Sequence, residues 1–496
     1  MKFILAAIKL FIAIIVVAIP VLAVWLSSSL AVYLNAPLWA AILVGALLFP
    51  LFPLFWETWS AKKFVVKQEK REASGKKLKK KWMSWGGRFI LRTLLLNLTF
   101  LGTLLAIFPK QSFEAVNTRG DWMLQNRQGA YYDTTRNILF ATANSLEGLH
   151  NLTRENPYKK YEPDDQPKVK PKPNQIPIPK ASDIAKAEKE KEVPEVRRVG
   201  EAPSWPMSRE LHPLVRTITK SDEATIKSVA NYLAKEKDPF LRVKALNDYV
   251  ADRIAYDAPA LAEGRYPPQD AETVFRTGKA VCAGYSKLMV ALAKHTGDKM
   301  IYVTGVSREQ NGEIAGGGHA WNAVEIEGAW YLIDTTWNAG HVNGSKFTKS
   351  YRTDYLFTPP KAFGVGHFPD KEKWQLKVAA ISRGEFVRQP MMSASFFANG
   401  FELISPTRSQ VTIDSDRFVA HLKNPLGRKL LVKIHPKLSQ GSSGEALNCD
   451  VNDASAAGKG VRLSCPVEDS GIYKVQIFAA KKGPVYTMMG QIEVVR

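Results

Sequence analysis

The chain has 496 residues, of which 45% are hydrophobic, and it carries a formal net charge of +21. This length allows two or three domains in addition to a membrane region. The charge does not indicate nucleic-acid binding, because much of the positive excess lies in one short loop and the sequence has neither zinc-finger spacing nor basic motifs interleaved with aromatic residues.

The cysteines, histidines and acidic residues argue against a bound metal or other cofactor. The three cysteines, Cys282, Cys449 and Cys465, form no C-x-x-C pair, and the eight histidines are scattered. No cluster of acidic residues indicates calcium binding. We therefore expect no metal and no cofactor.

Three apolar stretches predict that residues 1–108 form a region of three transmembrane helices. Residues 3–26 are too long for a signal-peptide core and precede no clear cleavage site. The second stretch is residues 37–56, and the third is residues 89–108, where Arg92 can extend towards the lipid headgroups. The alternative for the third stretch, a buried core helix, would put the rest of the chain in the cytoplasm.

The distribution of lysines predicts the orientation of these helices. Residues 58–88, between the second and third stretches, form a loop rich in lysine, whereas residues 27–36 carry no charge. The positive-inside rule places the basic loop in the cytoplasm, where it also contacts anionic lipid of the bilayer. We therefore expect an inner-membrane protein whose later domains lie outside the cytoplasm, in the periplasm of a Gram-negative cell.

Two connecting segments follow the membrane region. Residues 109–155 show weak helical periodicity and are predicted to form a small juxtamembrane helical segment. Residues 156–206 contain Pro-x-Lys runs and interleaved lysine and glutamate, a composition typical of an extended, solvated linker. Such a linker either lets the next domain reach away from the bilayer or is a plain spacer.

Residues 207–385 are predicted to form a domain in which helices pack on a sheet. Two amphipathic helices are predicted at residues 224–235 and 239–254, and strands are predicted from residue 300 onward. Between them, a helix begins at Cys282 and ends at Gly297. Its apolar face contains Tyr285, Leu288, Met289, Leu292 and Ala293.

Cys282 is predicted to lie in the first turn of that helix. The partial positive charge of a helix N-terminus favours the thiolate over the thiol. The small residues Ala283 and Gly284 are expected to leave room for a substrate to approach the sulfur.

A hairpin is predicted to bring His319 close to Asp334. Residues 319–326 and 330–337 are rich in aromatic and branched residues and are predicted strands, joined by a two-residue turn at Glu327-Gly328. In that register His319 and Asp334 are diagonal neighbours on one face of the ribbon. A shift of one residue would put them on opposite faces.

Cys282, His319 and Asp334 are the residue types of thiol catalysis. An imidazole generates the thiolate and later protonates the leaving amine, while a carboxylate orients the imidazole. Each residue alone has a structural alternative, namely a small buried cysteine, a core histidine and an aspartate that caps a turn. Their spacing and predicted secondary structure together favour catalysis.

The motifs Cys282-Ala-Gly-Tyr-Ser, His319-Ala-Trp-Asn and Leu332-Ile-Asp334-Thr-Thr-Trp resemble the transglutaminase-like superfamily. The His367-Phe-Pro-Asp motif resembles its kyphoscoliosis-peptidase-like branch, and the resemblance covers about residues 205–380.

This resemblance implies a papain-like α+β fold with Cys282 as nucleophile, His319 as base and Asp334 as orienting group. We further expect Gly284, Tyr285 and Trp321 to contact the substrate. His341 and His367 lie near the site by family position, and neither has an assigned role.

Residues 386–496 are predicted to form an immunoglobulin-like β-sandwich. Short alternating runs separated by turn residues indicate an all-β domain, and Asp469-Ser-Gly-Ile-Tyr473 resembles the tyrosine corner of such sandwiches. Kyphoscoliosis-like proteins often append such a domain. Outside the cytoplasm, Cys449 and Cys465 can form a disulfide, which leaves Cys282 as the free thiol.

Two hypotheses for function follow. The first is a membrane-anchored, extracytoplasmic thiol enzyme that transfers or hydrolyses acyl groups of a protein or peptide substrate; crosslinking and hydrolysis share the same first step. The second is a catalytically silent module that binds a cell-envelope partner through the C-terminal sandwich. The presence of all three catalytic residue types favours the enzyme.

Overall fold

The computed structural model divides the chain into two compact units, Met1–Thr153 and Arg154–Arg496, and each is described by itself. The structure describes residues 2–34, 36–81, 83–124, 127, 129–151, 156–164, 166–173, 177–178, 180, 182, 184–185, 201–265, 267–309, 312, 314, 317–437, 444–454, 460–481 and 483–496.

The N-terminal unit is helical. Three of its segments, Ala13–Tyr33, Trp39–Ala73 and Trp85–Ile107, are long and apolar enough to cross a membrane. The second segment is longer than predicted, because its helix continues into the basic stretch assigned to the loop 58–88. The helices are α1 Lys2–Tyr33, α2 Leu38–Ala46, α3 Phe52–Ala73, α4 Trp85–Ile107, α5 Pro109–Arg119 and α6 Ala130–Asn151, with a π-helical stretch at Leu47–Leu51.

A buried ion-pair cluster joins α3 to α4. Glu57 is 1% exposed and accepts a hydrogen bond from Nη2 of Arg88 at 2.6 Å and another from Arg92. A buried carboxylate is costly unless it is paired, so the two guanidinium groups stabilise it. Arg92 therefore points to Glu57, whereas the sequence predicts that it extends towards the lipid headgroups.

The second unit begins with a domain in which helices pack on a five-stranded antiparallel sheet of order β8-β5-β4-β3-β9. Its helices are α7 Pro213–Thr217, α8 Ile226–Leu233, α9 Pro239–Arg253, α10 Ala258–Glu263, α11 Ala271–Thr277, α12 Cys282–Thr296, α13 Thr335–Ala339 and α14 Pro360–Gly366. Its strands are β1 Ala255–Tyr256, β2 Lys279–Ala280, β3 Lys299–Ser307, β4 His319–Ile326, β5 Ala329–Ile333, β6 Gly340–Asn343, β7 Lys346–Lys349, β8 Leu356–Thr358 and β9 His367–Pro369.

Helix α12 packs on the sheet through the predicted apolar face. Leu288, Met289 and Leu292 are fully buried in one cluster with Met300 of β3, and burial of each such side chain stabilises the fold by about 1.5–3 kcal/mol. The helix ends at Gly297, whose φ of 81° suits a left-handed C-cap. This packing holds the N-terminus of α12 beside the central strands.

Strands β4 and β5 form a hairpin with the predicted two-residue turn. Ile326 pairs with Ala329, and the positive φ angles of Glu327 (49°) and Gly328 (78°) match the turn type that short hairpins prefer. Strand β5 ends at Ile333, and helix α13 follows. The strand predicted over residues 330–337 is therefore wrong in its second half.

Part of the predicted linker packs on this domain. Tyr158 is 2% exposed and lies in a buried cluster with Cys282 and Tyr302, while Val169 packs on a cluster formed by the sheet. Tyr158 is therefore buried and Val169 half-buried, contrary to the predicted solvated linker, whereas Pro157, Pro167 and the lysines between them are exposed as predicted. The lysine- and glutamate-rich residues 186–200 lie outside the described residues.

Two β-sheets that share one hydrophobic core form the C-terminal region. Phe418 and Leu463 of one sheet pack in the same cluster as Val432 and Val475 of the other. The first sheet has the order β10-β19-β18-β14-β15 with β12 beside β19, and the second has the order β11-β13-β17-β16. The strands are β10 Met391–Met392, β11 Glu402–Ser405, β12 Gln410–Thr412, β13 Arg417–Lys423, β14 Lys429–Pro436, β15 Leu447–Asn448, β16 Asp450–Asp453, β17 Val461–Pro466, β18 Ile472–Ala480 and β19 Thr487–Val495, and the helices are α15 Arg383–Arg388 and α16 Ala394–Ala398.

Candidate active site

Cys282 is the first residue of helix α12, and only 1% of its surface is exposed. The preceding Val281 is extended, and its N–H donates to Oε1 of the buried Gln269 at 3.0 Å. This hydrogen bond fixes the backbone just before the helix begins. The sulfur therefore lies at a helix N-terminus, where the partial positive charge stabilises a thiolate.

Asp334 follows the last residue of β5 and caps helix α13. Its Oδ1 atom accepts a hydrogen bond from the N–H of Trp337 at 3.1 Å, as N-cap carboxylates do. Its Oδ2 atom lies 2.7 Å from Nε2 of His319, the first residue of β4. The structure thus brings His319 and Asp334 together, and the helix cap rather than a longer strand holds the carboxylate.

A second imidazole contacts the same carboxylate. Nε2 of His367 lies 2.9 Å from Oδ2 of Asp334, and the His367 side chain is fully buried. Its ring stacks on Phe363 at a centroid distance of 4.0 Å and lies 4.4 Å from the ring of Trp337. From the sequence alone, His367 has no assigned role. The sequence signal that could have identified His367 as a site residue is the His367-Phe-Pro-Asp motif, which begins 33 residues after Asp334.

Burial and pairing with charged groups have opposite effects on the pKa of His319. Burial alone lowers the pKa of His319, but the Asp334 carboxylate and the Cys282 sulfur outweigh it and raise the pKa to about 10. Burial raises the pKa of Asp334, but His319 and His367 hold it well below its ordinary value. Burial lowers the pKa of His367, so this second imidazole is neutral and donates its Nε2–H to Asp334. The buried carboxylate therefore favours the imidazolium form of His319.

The sulfur is enclosed by aromatic and small side chains. Burial raises the pKa of Tyr302, and the charge of Cys282 acts in the same direction. The Tyr302 hydroxyl donates to the backbone oxygen of Tyr158 at 3.1 Å. Together with Val281, Ala283 and Ala320, these residues form one buried cluster around Cys282.

Gly284, predicted to contact substrate, instead allows close packing inside the domain. A Cβ atom at this position would lie 2.6 Å from Cβ of Ala280 and 2.7 Å from Cγ2 of Val274. Contacts this short exclude any side chain. The lack of a side chain therefore makes room for α11 and β2, not for a substrate.

The other two residues predicted to contact substrate, Tyr285 and Trp321, are also buried. The Tyr285 hydroxyl donates to the backbone oxygen of Ile254 at 2.7 Å, which ties α12 to the end of α9. The Trp321 ring lies 5.9 Å from the ring of His319 and 5.2 Å from that of His367. Both side chains support the site from within, and neither presents a surface to solvent.

Among the described residues, one group of side chains could hold a metal ion. The ligand atoms of His319, Asp334 and His367 lie within 4.8 Å of one another, and two imidazoles with a carboxylate suit zinc or iron. The same nitrogen atoms already make hydrogen bonds of 2.7 and 2.9 Å to the carboxylate. We therefore interpret this group as a hydrogen-bonded network.

Residues 227–335, which include Cys282, His319 and Asp334, match the family model of the transglutaminase-like superfamily. This region is a transglutaminase-like domain. Kyphoscoliosis peptidase of Mus musculus is 27% identical over 279 residues, which cover 54% of this chain and 40% of that protein. Kyphoscoliosis peptidase of Homo sapiens is 27% identical over 293 residues, which cover 57% of this chain and 43% of that protein. These relatives place the domain in the kyphoscoliosis-peptidase-like branch.

The alignments with both relatives span less than half of the relatives' own length. Among solved structures, red sea bream transglutaminase is similar over 57% of this chain and 56% of its own, with 9% identity and a TM-score of 0.23.

In the transglutaminase-like domain, the His319 imidazole interacts with two partners. Asp334 holds Nε2, and a hydrogen bond with the Cys282 sulfur contributes to the raised pKa of the imidazole. An imidazole held in this way can move a proton between a sulfur and a reacting group without turning.

Proposed function

We propose that this chain is a membrane-anchored cysteine enzyme that transfers or hydrolyses acyl groups of protein amides outside the cytoplasm. The observation that carries the proposal is that the His319 imidazole lies 2.7 Å from Asp334 and also interacts with Cys282. We assign Cys282 as the nucleophile, His319 as the acid and base, and Asp334 as the orienting group.

The proposed reaction begins from an imidazolium and a thiolate. The Cys282 thiolate attacks the amide carbon, and the resulting oxyanion lies near N–H groups of the first turn of α12. His319 donates its Nδ1 proton to the nitrogen as the C–N bond breaks, which releases an amine and leaves a thioester on Cys282. Water or a second amine then gives a proton to His319 and attacks the thioester, which restores the thiolate. Water gives hydrolysis, and an amine gives a crosslink.

The proposed location outside the cytoplasm is supported by the cysteines and by the charge distribution. Cys449 and Cys465 form a disulfide, a bond that persists in oxidising compartments. The lysine-rich stretch between the second and third apolar helices favours the cytoplasmic side of a membrane. Three crossings then put residues after 108 on the opposite side.

For residues 386–496 we propose an immunoglobulin-like sandwich that holds a cell-envelope partner close to the transglutaminase-like domain. The Tyr473 hydroxyl donates to the backbone oxygen of Asp469 at 3.0 Å, the type of contact that a tyrosine corner makes. Two sheets with a common core support the same interpretation.

The alternative function is that of a catalytically silent interaction module. The burial of Cys282, which is 1% exposed, favours this alternative, because a nucleophile must reach the carbon that it attacks. The two functions differ in the state of the thiol. In an enzyme, His319 activates the sulfur; in a silent module, the sulfur is an ordinary buried cysteine.

The rate of alkylation of Cys282 by iodoacetamide separates the two functions. Cys282 is the free cysteine, so the intact mass of the purified full chain follows its reaction directly. At pH 7 we expect the wild type to react roughly 10²-fold faster than His319→Ala, because the imidazole keeps the sulfur ionised. Removal of the buried His319 side chain widens access to the sulfur, so a faster wild type reports the imidazole and not better access. The control is His341→Ala at an exposed histidine, which should match the wild type; a ratio near one for His319→Ala would refute the enzyme.

A further inference from the structure

Strand β3, which carries Tyr302 of the Cys282 cluster, has an edge without a strand partner. On one side β3 pairs with β4 from Lys299 to Gly305, and on the other it pairs with β9 only from Gly305 to Ser307. Among the described residues, no strand covers the second side over residues 299–304. An open edge of this kind is a template for another extended chain.

The side chain of Gln166 occupies this edge. Its Nε2 donates to the backbone oxygen of Tyr302 at 3.0 Å, and its Oε1 accepts from the Tyr302 N–H at 2.7 Å. A carboxamide has the same donor and acceptor as a peptide group. Gln166 therefore makes the pair of hydrogen bonds that an added β-strand would make.

Gln166 belongs to residues 156–164 and 166–169, which we call the covering segment. Apart from a short 3₁₀ turn at Lys159–Tyr161, its described residues have no regular secondary structure. Segments attached mainly by side-chain contacts at the surface open locally at low cost. Three such contacts are Asn156 Nδ2 to Gly305 O at 2.8 Å, Lys371 Nζ to Glu162 Oε1 at 2.6 Å and Lys373 Nζ to Val169 O at 2.6 Å.

The covering segment also closes access to the sulfur. Tyr158 is 2% exposed and shares one buried cluster with Cys282 and Tyr302, and its backbone oxygen accepts the Tyr302 hydroxyl. A polypeptide amide cannot reach a sulfur that is enclosed in this way. Tyr158 must therefore leave before an acyl donor can bind.

We propose that the open edge of β3 and the N-terminus of α12 form the binding groove for an extended polypeptide substrate, and that the covering segment is an autoinhibitory occupant of this groove. This proposal rests on the proposed function and adds its substrate class and its regulation. A substrate strand replaces Gln166 at the backbone of Tyr302 and places its reactive amide at Cys282, where Tyr158 now lies. Displacement of the segment activates the enzyme.

The test measures iodoacetamide alkylation of Cys282 in variants of the purified full chain. Gln166→Glu keeps the side-chain size, removes the N–H donor and sets a carboxylate against the Tyr302 oxygen. We expect alkylation about tenfold faster than in the wild type, equivalent to about 1.4 kcal/mol of weaker closure. Tyr158→Ala removes the enclosing ring and should accelerate alkylation by roughly 10²-fold. Lys168→Ala, at an exposed position of the same segment, is the matched control and should change nothing.

A synthetic peptide of residues 156–170 tests the groove directly. Added to the Tyr158→Ala variant, it should slow alkylation towards the wild-type rate, and the same peptide carrying Gln166→Glu should not. Wild-type rates in both variants, or no protection by the peptide, would overturn the proposal. If thermal unfolding shows that Tyr158→Ala is unfolded, Gln166→Glu alone decides, because it removes no core side chain.

Failure of this proposal is distinguishable from failure of the proposed function. When His319 is unchanged, the effect of Gln166→Glu on the alkylation rate reports how far the covering segment limits access to Cys282. When Gln166 is unchanged, the effect of His319→Ala on the same rate reports activation of the thiol. If Gln166→Glu accelerates alkylation tenfold and His319→Ala changes nothing, the covered groove is supported and the proposed thiol catalysis is refuted. If His319→Ala slows alkylation strongly and Gln166→Glu changes nothing, the covered groove is refuted and the proposed thiol catalysis is supported.

Discussion

Nε2 of His367 lies 2.9 Å from Oδ2 of Asp334, and both side chains are fully buried. The same oxygen accepts from His319, so two donors share one acceptor. His367 thereby fixes the carboxylate that orients His319, and we regard it as a positioning residue.

Replacement of His367 by phenylalanine tests this relationship. His367→Phe keeps a ring against Phe363 but removes one donor from the buried carboxylate, so we expect a loss of about 1–3 kcal/mol in the free energy of unfolding. Chemical denaturation of wild type and variant measures the difference. His341→Phe, at an exposed histidine, is the control. Equal stability of His367→Phe and wild type would show that the donor is dispensable.

The ion pair of His319 and Asp334 makes stability depend on pH in a defined direction. The pKa of His319 rises from 6.5 to about 10 on folding, so its contribution to the free energy of unfolding is full below pH 6.5 and is lost as the pH rises towards 10. The pKa of Asp334 is lowered from 3.8, so its contribution is present above that pH and is lost in more acidic solution.

Denaturation of the wild type and His319→Ala across pH 4 to 10 measures this contribution. We expect the stability difference between them to be largest from about pH 4 to 6.5 and to decline from there to pH 10. A difference that is constant over this range would contradict the raised pKa of the imidazole.

The disulfide of Cys449 and Cys465 is expected to stabilise the C-terminal sheets. It closes a loop with a sequence separation of 16 residues, and loops of that length are associated with about 3 kcal/mol of stabilisation. Cys449→Ser with Cys465→Ser should lower the free energy of unfolding by that amount, and reductant should then have no further effect. Cys282→Ser is the control that keeps the disulfide and its sensitivity to reductant.

Reporter fusions test the proposed topology. Alkaline phosphatase, which is active only outside the cytoplasm, should be active when fused after Arg496 and silent when fused after Lys81 in the basic stretch. The reason is the concentration of lysines around Lys81, which favours the cytoplasmic side. A stable but silent fusion at Arg496 would reverse the topology.

Local sequence patterns are sufficient to predict most of the helices and strands that surround the site. The helix from Cys282 to Gly297 follows from apolar spacing and a terminal glycine, and strand β4 follows from its branched and aromatic residues. The turn at Glu327-Gly328 fixes the hairpin register, because a two-residue loop permits few alternatives.

Other features depend on interactions that local patterns do not record. Thr335, Thr336 and Trp337 have strand propensity, but the side chain of Asp334 caps them as a helix instead. His367 reaches Asp334 across 33 residues, and Gln166 reaches Tyr302 across 136 residues. The composition around Gln166 predicts a solvated linker, since proline and lysine dominate it, and the few side chains that attach it to the domain are too sparse to alter that pattern.

The charges shared by α3 and α4 bear on how the proposed membrane region would enter a bilayer. Alone, α3 would carry the Glu57 carboxylate and α4 the guanidinium groups of Arg88 and Arg92. All three lie near the ends of the apolar stretches, where a charge costs less than the roughly 2.5–3.5 kcal/mol of a helix centre but still has to be solvated. Paired, one negative and two positive charges leave a single unit to be solvated. We therefore expect the insertion machinery to release the two helices together as a hairpin, with Glu57 as the residue that makes the third apolar helix acceptable to lipid.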